Sequence, residues 1–190
     1  MTQNQNVNKL KLAALLLILA AILFIIIING IKLGVQTAYP KQYSALVEQN
    51  ATDFNIDKNL LYALIKTESG FDKNAVSSVG AKGLTQITQE TFEWLQSKTG
   101  DSYEEGALFN EEISIYYGAY FLNMLLDEFG NTQTALAAYH AGRGKVNEWL
   151  ADPTISPDGV VLESIPYEDT AAYVKRVMRN YERYNKIYDD

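Results

Sequence analysis

Glu68 ends an apolar segment, Asn59-Leu60-Leu61-Tyr62-Ala63-Leu64-Ile65-Lys66-Thr67-Glu68, and is followed by Ser69-Gly70-Phe71. A helix over such a segment buries its main face, and the Ser-Gly pair stops it and opens into a loop. A carboxyl at that point is half desolvated by the core while still facing a cleft. Desolvation penalises the charged form and raises the pKa, which is what a general acid near neutral pH requires. On its position alone Glu68 is better read as a solvated helix-end residue. The residues that follow favour chemistry. Gly80 and Gly83 suggest a tight backbone that a ligand approaches closely, and Gln86 offers both a donor and an acceptor. Such amides and hydroxyls suit hydroxyl-rich or acetamido ligands.

Composition narrows the alternatives. The 190 residues include no cysteine and one histidine, His140. Disulfide scaffolds, thiolate nucleophiles and iron–sulfur clusters are excluded, as are zinc sites built on two or three histidines. A Ser-His-Asp arrangement could be built only around His140. Acid–base chemistry on carboxylates becomes the leading enzymatic option. The acidic pairs lack a calcium-loop pattern, so neither a metal nor another cofactor is expected. The first acidic residue is Glu48, and from there on twelve basic residues face twenty-three acidic ones, a net charge of −11. Phosphate backbones would repel such a domain, which argues against a nucleic-acid partner.

Three segments carry a resemblance. The first runs Glu68-Ser69-Gly70-Phe71-Asp72-Lys73-Asn74-Ala75-Val76-Ser77-Ser78-Val79-Gly80-Ala81-Lys82-Gly83-Leu84-Thr85-Gln86-Ile87-Thr88. The second is Ala138-Tyr139-His140-Ala141-Gly142-Arg143-Gly144-Lys145-Val146, and the third is Ile165-Pro166-Tyr167-Glu168-Asp169-Thr170 followed by Tyr173-Val174. In this order, across about residues 57 to 185, they resemble the soluble-type lytic transglycosylases, which share a fold with goose-type lysozyme. The resemblance implies cleavage of the β-1,4 bond between N-acetylmuramic acid and N-acetylglucosamine in peptidoglycan strands, with Glu68 serving first as acid and then as base. It implies that Ser77 and Gln86 contact sugar amide or hydroxyl groups and that His140 lines the cleft where the family has asparagine. Tyr139 would be a platform or part of the core, and Tyr173 would hydrogen-bond near Glu68. Departures from the family pattern are Lys73 for proline, Thr85 and Thr88 for methionines, and Asp169 for glutamate. The threonines imply a more polar cleft. A muramidase that uses water, or a tethered protein that only binds wall glycan, are the alternatives.

The elements that must position these residues are mainly helical. Apolar residues recur at helical spacing in Leu60, Leu61, Leu64 and Ile65; in Ile113, Tyr116, Tyr117, Tyr120, Phe121, Met124 and Leu125; and in Tyr173, Val174, Val177, Met178 and Tyr181. The expected fold class is therefore all-α and lysozyme-like, preceded by one N-terminal transmembrane helix. Asp57 and Asn110 read as N-caps, and Gly70, Gly100 and Gly130 as helix stops. At most a small hairpin fits between Pro153 and Pro166, and Trp94 and Trp149 read as core. Leu12 to Ile28 is an unbroken apolar run of 17 residues, which at about 1.5 Å per residue nearly crosses a hydrocarbon core. Its length and lack of a good cleavage site favour an uncleaved anchor. The expected organisation is a short cytoplasmic tail over 1–11, a transmembrane signal anchor over 12–31, a tether over 32–47 and a catalytic domain over 48–190. The domain is expected on the extracytoplasmic side of the cell membrane, held by a single pass, with peptidoglycan strands as its partner.

Overall fold

The computed structural model describes residues 2–104 and 106–188, with side chains from residue 11 onward. It separates into two units, which meet between Pro40 and Lys41. The first holds one helix, α1 (Thr2–Ala38). Its segment Lys11–Ala38 is long and apolar enough to cross a membrane by length and composition. The helix runs further than the 12–31 span expected for the anchor, and α2 begins at Ser44. Of the expected tether, only residues 39–43 are non-helical. Pro40 explains the break, because the residue before a proline is pushed out of helical geometry.

The second unit contains α2 (Ser44–Asp53), α3 (Lys58–Glu68), α4 (Gln89–Thr99), a 3₁₀ turn (Ala107–Phe109), α5 (Glu111–Phe129), α6 (Thr132–Ala141), α7 (Arg143–Leu150) and α8 (Glu168–Tyr188). The helix ends follow local chemistry. Asp57 accepts from the Asn59 amide, Asn110 from those of Glu112 and Ile113, and Thr88 from that of Thr91. Each satisfies an amide that the first turn leaves without a partner. Gly100 and Gly130 terminate α4 and α5 in the left-handed conformation. No strand occurs among the described residues. Isolated bridges pair Val76 with Lys82 and Lys82 with Ile87, and residues 153–166 form turns and coil.

Helix α3 is the centre of the core, with Asn59 through Ile65 all buried. Helix α8 packs along it through Tyr173, Val174, Val177 and Tyr184, which are buried on one face. The Tyr184 ring stacks on Tyr62 at 5.5 Å. Two polar rungs fix an antiparallel register between these helices. Asn59 Nδ2 donates to Asn185 Oδ1 at 2.9 Å, and Asn180 Nδ2 donates to Thr67 Oγ1 at 2.9 Å. With that register set, the C-terminal end of α3 meets the N-terminal half of α8.

Candidate active site

Glu68 is the last residue of α3 and is only partly accessible. The Tyr173 hydroxyl donates to Glu68 Oε1 at 2.5 Å. Burial pushes the Glu68 carboxyl up to about 7, against the opposing pull of the Tyr173 bond and of the Arg176 charge. The order of these effects matters, because a hydrogen bond and a cation alone would have driven the carboxyl down. Tyr173 is itself 2% exposed. Burial first, and then the Glu68 charge, hold its phenol well above the ordinary tyrosine range, so it stays a donor.

Two further rings complete this wall. The His140 ring stacks on Tyr173 with centroids 4.5 Å apart, and its Nδ1 lies 3.1 Å from Thr170 Oγ1. Burial holds the imidazole below its ordinary value; Asp169 opposes this and Arg176 adds to it. The ring is therefore neutral around pH 7. Tyr139 donates its hydroxyl to the Thr85 carbonyl at 2.8 Å, and the Glu68 charge adds to the burial that raises its phenol. Glu68, Tyr139, His140 and Tyr173 thus gather from α3, α6 and α8.

The loop between α3 and α4 adjoins this cluster, since the Thr85 carbonyl that Tyr139 holds belongs to it. Ser69 ties it to the end of α3, donating to the Leu84 carbonyl at 2.8 Å while accepting from the Phe71 amide. Ser77 Oγ accepts from the Ala81 amide at 3.0 Å. The Gln86 amide nitrogen donates to the carbonyls of Ala75 and Gly83. Both residues therefore hold the loop in shape, a role that their types did not announce. Gly83 has φ +76°, and a Cβ there would lie 2.0 Å from the Leu108 carbonyl oxygen. The loop is pressed against the 3₁₀ turn at a point that admits no side chain.

The structure corrects the reading of the two threonines. Thr85 is 0% exposed. Its methyl packs where Gly118 has no side chain, and its hydroxyl donates to the Ser114 carbonyl at 2.8 Å. It points into α5 and adds no polarity to the cleft. Thr88 caps α4. Lys73, in place of the family's proline, ion-pairs with Glu111 at 3.2 Å and braces the loop on the first turn of α5. Trp149 is buried as expected, whereas Trp94 is only partly buried and lines a cavity. Arg176 was not singled out by the sequence. Arg176 lies three residues past Tyr173 on α8, a spacing that puts both on one helical face. Among the described residues, no group of three or more His, Asp or Glu is arranged to hold a metal ion.

Residues 45–158 match the family described as the transglycosylase SLT domain. The chain belongs to that family. The match spans Glu68, Ser77, Gln86, Tyr139 and His140 and ends before Tyr173. The soluble lytic murein transglycosylase of Escherichia coli K12 is 32% identical over 155 residues, covering 79% of this chain and 24% of that protein. The membrane-bound lytic murein transglycosylase C of Yersinia pestis is 29% identical over 172 residues, covering 75% of this chain and 47% of that protein. The crystal structure of the 70 kDa soluble lytic transglycosylase from Escherichia coli superposes with a TM-score of 0.74 and 28% identity, over 82% of this chain and 26% of that one. The chain thus spans about a quarter of the length of the soluble relatives it matches. The all-α, lysozyme-like fold is shared with these SLT-domain enzymes.

Proposed function

We propose that the chain is a lytic transglycosylase that cleaves the bond between N-acetylmuramic acid and N-acetylglucosamine in peptidoglycan, with Glu68 as its single acid and base. The observation that carries this reading is the partly buried Glu68 carboxyl, raised to about 7 and held by Tyr173. At that value it can both give up and take back a proton near neutral pH.

In the first step Glu68 protonates the glycosidic oxygen as the bond from that oxygen to C1 of the muramic acid breaks. Positive charge develops at C1, and the substrate's own acetamido oxygen stabilises it. Glu68 is now a carboxylate, and the Tyr173 hydrogen bond stabilises its charge. In the second step it takes the proton from the C6 hydroxyl as that oxygen attacks C1. A 1,6-anhydro ring forms, Glu68 returns to its starting state and no water is consumed.

A two-carboxylate mechanism would need a second Asp or Glu facing the first across the bond. The charged group acting on Glu68 is Arg176, a cation. Asp72 turns back to bond the Asn74 amide, and Glu90 lies beside Trp94. A single acid fits this environment. Ser77, Gln86, Tyr139 and the exposed edge of His140 are the proposed substrate contacts. The apolar helix over 11–38 would anchor the chain by a single pass, with the acidic domain on the side where peptidoglycan lies.

Mass spectrometry of fragments released from purified peptidoglycan tests the outcome. Ends lighter by one water than the hydrolytic product are expected. Ordinary reducing ends would assign the chain to hydrolysis instead, and no released fragments would favour a glycan-binding role.

A further inference from the structure

The acidic domain from Glu48 onward spreads its charge unevenly. Lys175, Arg176, Arg179, Arg183 and Lys186 fall within twelve residues against one acidic residue, Glu182, while the rest of the domain carries a net charge of −15. Lys175, Arg179 and Arg183 are four residues apart and Lys186 follows three later, which sets all four on one face of α8. All four are exposed. Among the described residues, none of the four is in an ion pair. Glu182 shares this face, and so does Glu168 in the first turn. The opposite face carries Tyr173, Val174, Val177 and Tyr184 into the core.

The chain enters the second unit beside one end of this stripe. Lys41 is the first residue of that unit, and its Nζ lies 4.5 Å from the centre of the Tyr188 ring at the end of α8. Three residues separate Lys41 from Ala38, where α1 ends, and an extended chain covers at most about 11 Å over that length. With Lys11–Ala38 spanning a bilayer, the C-terminal end of α8 is tethered within short reach of the surface. Nearer the start of α8, a cavity of about 510 Å³ opens, and its lining includes the apolar Ala171, Val174 and Met178 together with the cations Lys175 and Arg179. A soluble polyanion gains nothing from apolar surface beside its charge contacts. A lipid, with acyl chains under a charged headgroup, gains from both.

We infer that the exposed face of α8 docks on the anionic phospholipid headgroups of the membrane that holds α1, with Lys175, Arg179, Arg183 and Lys186 against the phosphates. The four cations extend along about 16 Å of helix, so α8 lies along the surface. Its main apolar face is already taken up by α3, so charge supplies most of the attraction and the cavity adds a smaller apolar contact. Each cation beside an anionic surface favours the docked state about fivefold, and four together favour it on the order of several hundredfold at low salt. Glu168 and Glu182 subtract from this. The inference rests on the proposed membrane anchor and adds an orientation to it. Glu68, on the helix packed against α8, is held about one helix layer from the headgroups, which confines cleavage to strands close to the membrane.

Because the sequence has no cysteine, Ala172→Cys puts a single fluorophore on the exposed face of α8, and Ser97→Cys puts one on exposed α4 as the reference. Each labelled full chain is reconstituted into vesicles of phosphatidylcholine, with or without phosphatidylglycerol, that carry a headgroup quencher. Quenching at position 172 should be at least about threefold stronger in the anionic vesicles. It should fall back in about 1 M salt, where screening acts within about 3 Å, and position 97 should respond to neither change. Replacing the four cations together, Lys175→Gln, Arg179→Gln, Arg183→Gln and Lys186→Gln, should abolish the difference, with circular dichroism confirming the fold. The salt response of the parent reads the same contact without any of these replacements. Quenching at position 172 that is equal in both vesicle types and indifferent to salt overturns the docking face and leaves the anchor reading intact. A chain that alkaline washing strips from the vesicles defeats the anchor reading, and the docking face falls with it. Binding of inorganic polyphosphate by the detergent-dispersed chain, without lipid-dependent quenching, would give the stripe to a soluble polyanion and overturn the lipid assignment.

Discussion

The Tyr173 hydroxyl lies 2.5 Å from the Glu68 carboxylate across 105 residues of sequence. One residue ends the central helix and the other lies on the helix packed against it, in a register set by the Asn59–Asn185 and Thr67–Asn180 hydrogen bonds. The pair lets a carboxyl be desolvated without becoming a stranded charge. Burial raises it toward neutrality, and the phenol supports the ionised form when it appears.

Tyr173→Phe removes that support. Hydrogen bonds to charged groups are worth about 1.5–3 kcal/mol, and about 1.4 kcal/mol corresponds to one pKa unit. The carboxyl should therefore rise by about one unit or more, and the alkaline limb of activity should move up by the same amount. The maximal rate should fall about tenfold as the Glu68 rotamer loosens. A pH–rate profile matching the parent's would deny the phenol its role.

The raised carboxyl also has a thermodynamic signature. Its pKa is higher in the fold than the ordinary 4.5, so the folded state binds the proton more tightly than the unfolded chain. The resulting stabilisation is complete below about pH 4.5 and is lost as pH rises through about 7. A shift of this size corresponds to something on the order of 3 kcal/mol. Glu68→Gln carries no such proton. Its Tm should gain on the parent's between pH 5 and pH 9, as measured by circular dichroism or calorimetry, and parallel curves would count against the burial argument.

Gly83 tests the loop. A methyl group there would be driven into the Leu108 carbonyl, at a φ that L side chains rarely adopt. Gly83→Ala should cost at least about 2 kcal/mol and lower Tm by several degrees. Activity should fall as well, because the loop that carries Ser77 and Gln86 is displaced. An alanine variant as stable as the parent would mean that the loop is not clamped there.

Thr85→Met restores the family's residue in a cavity shaped for threonine. Its methyl already sits against the bare Cα of Gly118, and overpacking of this kind costs about 1–3 kcal/mol. Lower stability is expected from thermal unfolding, with partial recovery when a smaller hydrophobic residue such as valine is tried. A methionine variant more stable than the parent would contradict the packing.

How far this was legible in the sequence depends on the range of the cause. The caps at Asp57 and Asn110 and the stops at Gly100 and Gly130 answer to their immediate neighbours and could be read directly. Glu68 and Tyr173 were legible through motif spacing and helical periodicity, although the bond between them is set by helix register. The burial of Thr85 could not be seen, because it depends on Gly118, thirty-three residues away on another helix. Gln86 and Ser77 were read through the family resemblance, and Gln86 also by its type, neither of which reveals that the backbone engages them first. Trp94 was taken for core because a tryptophan's exposure depends on where α4 lies relative to Phe121.

The most direct test is the rate at which the full chain and its Glu68→Gln variant digest purified peptidoglycan, with circular dichroism confirming that both are folded. Loss of a general acid–base group costs about 10²- to 10⁴-fold. Glu68 as general acid and base requires a folded Gln variant to be slowed at least about a hundredfold at pH 7. A folded variant that digests the substrate at the parent's rate would contradict it.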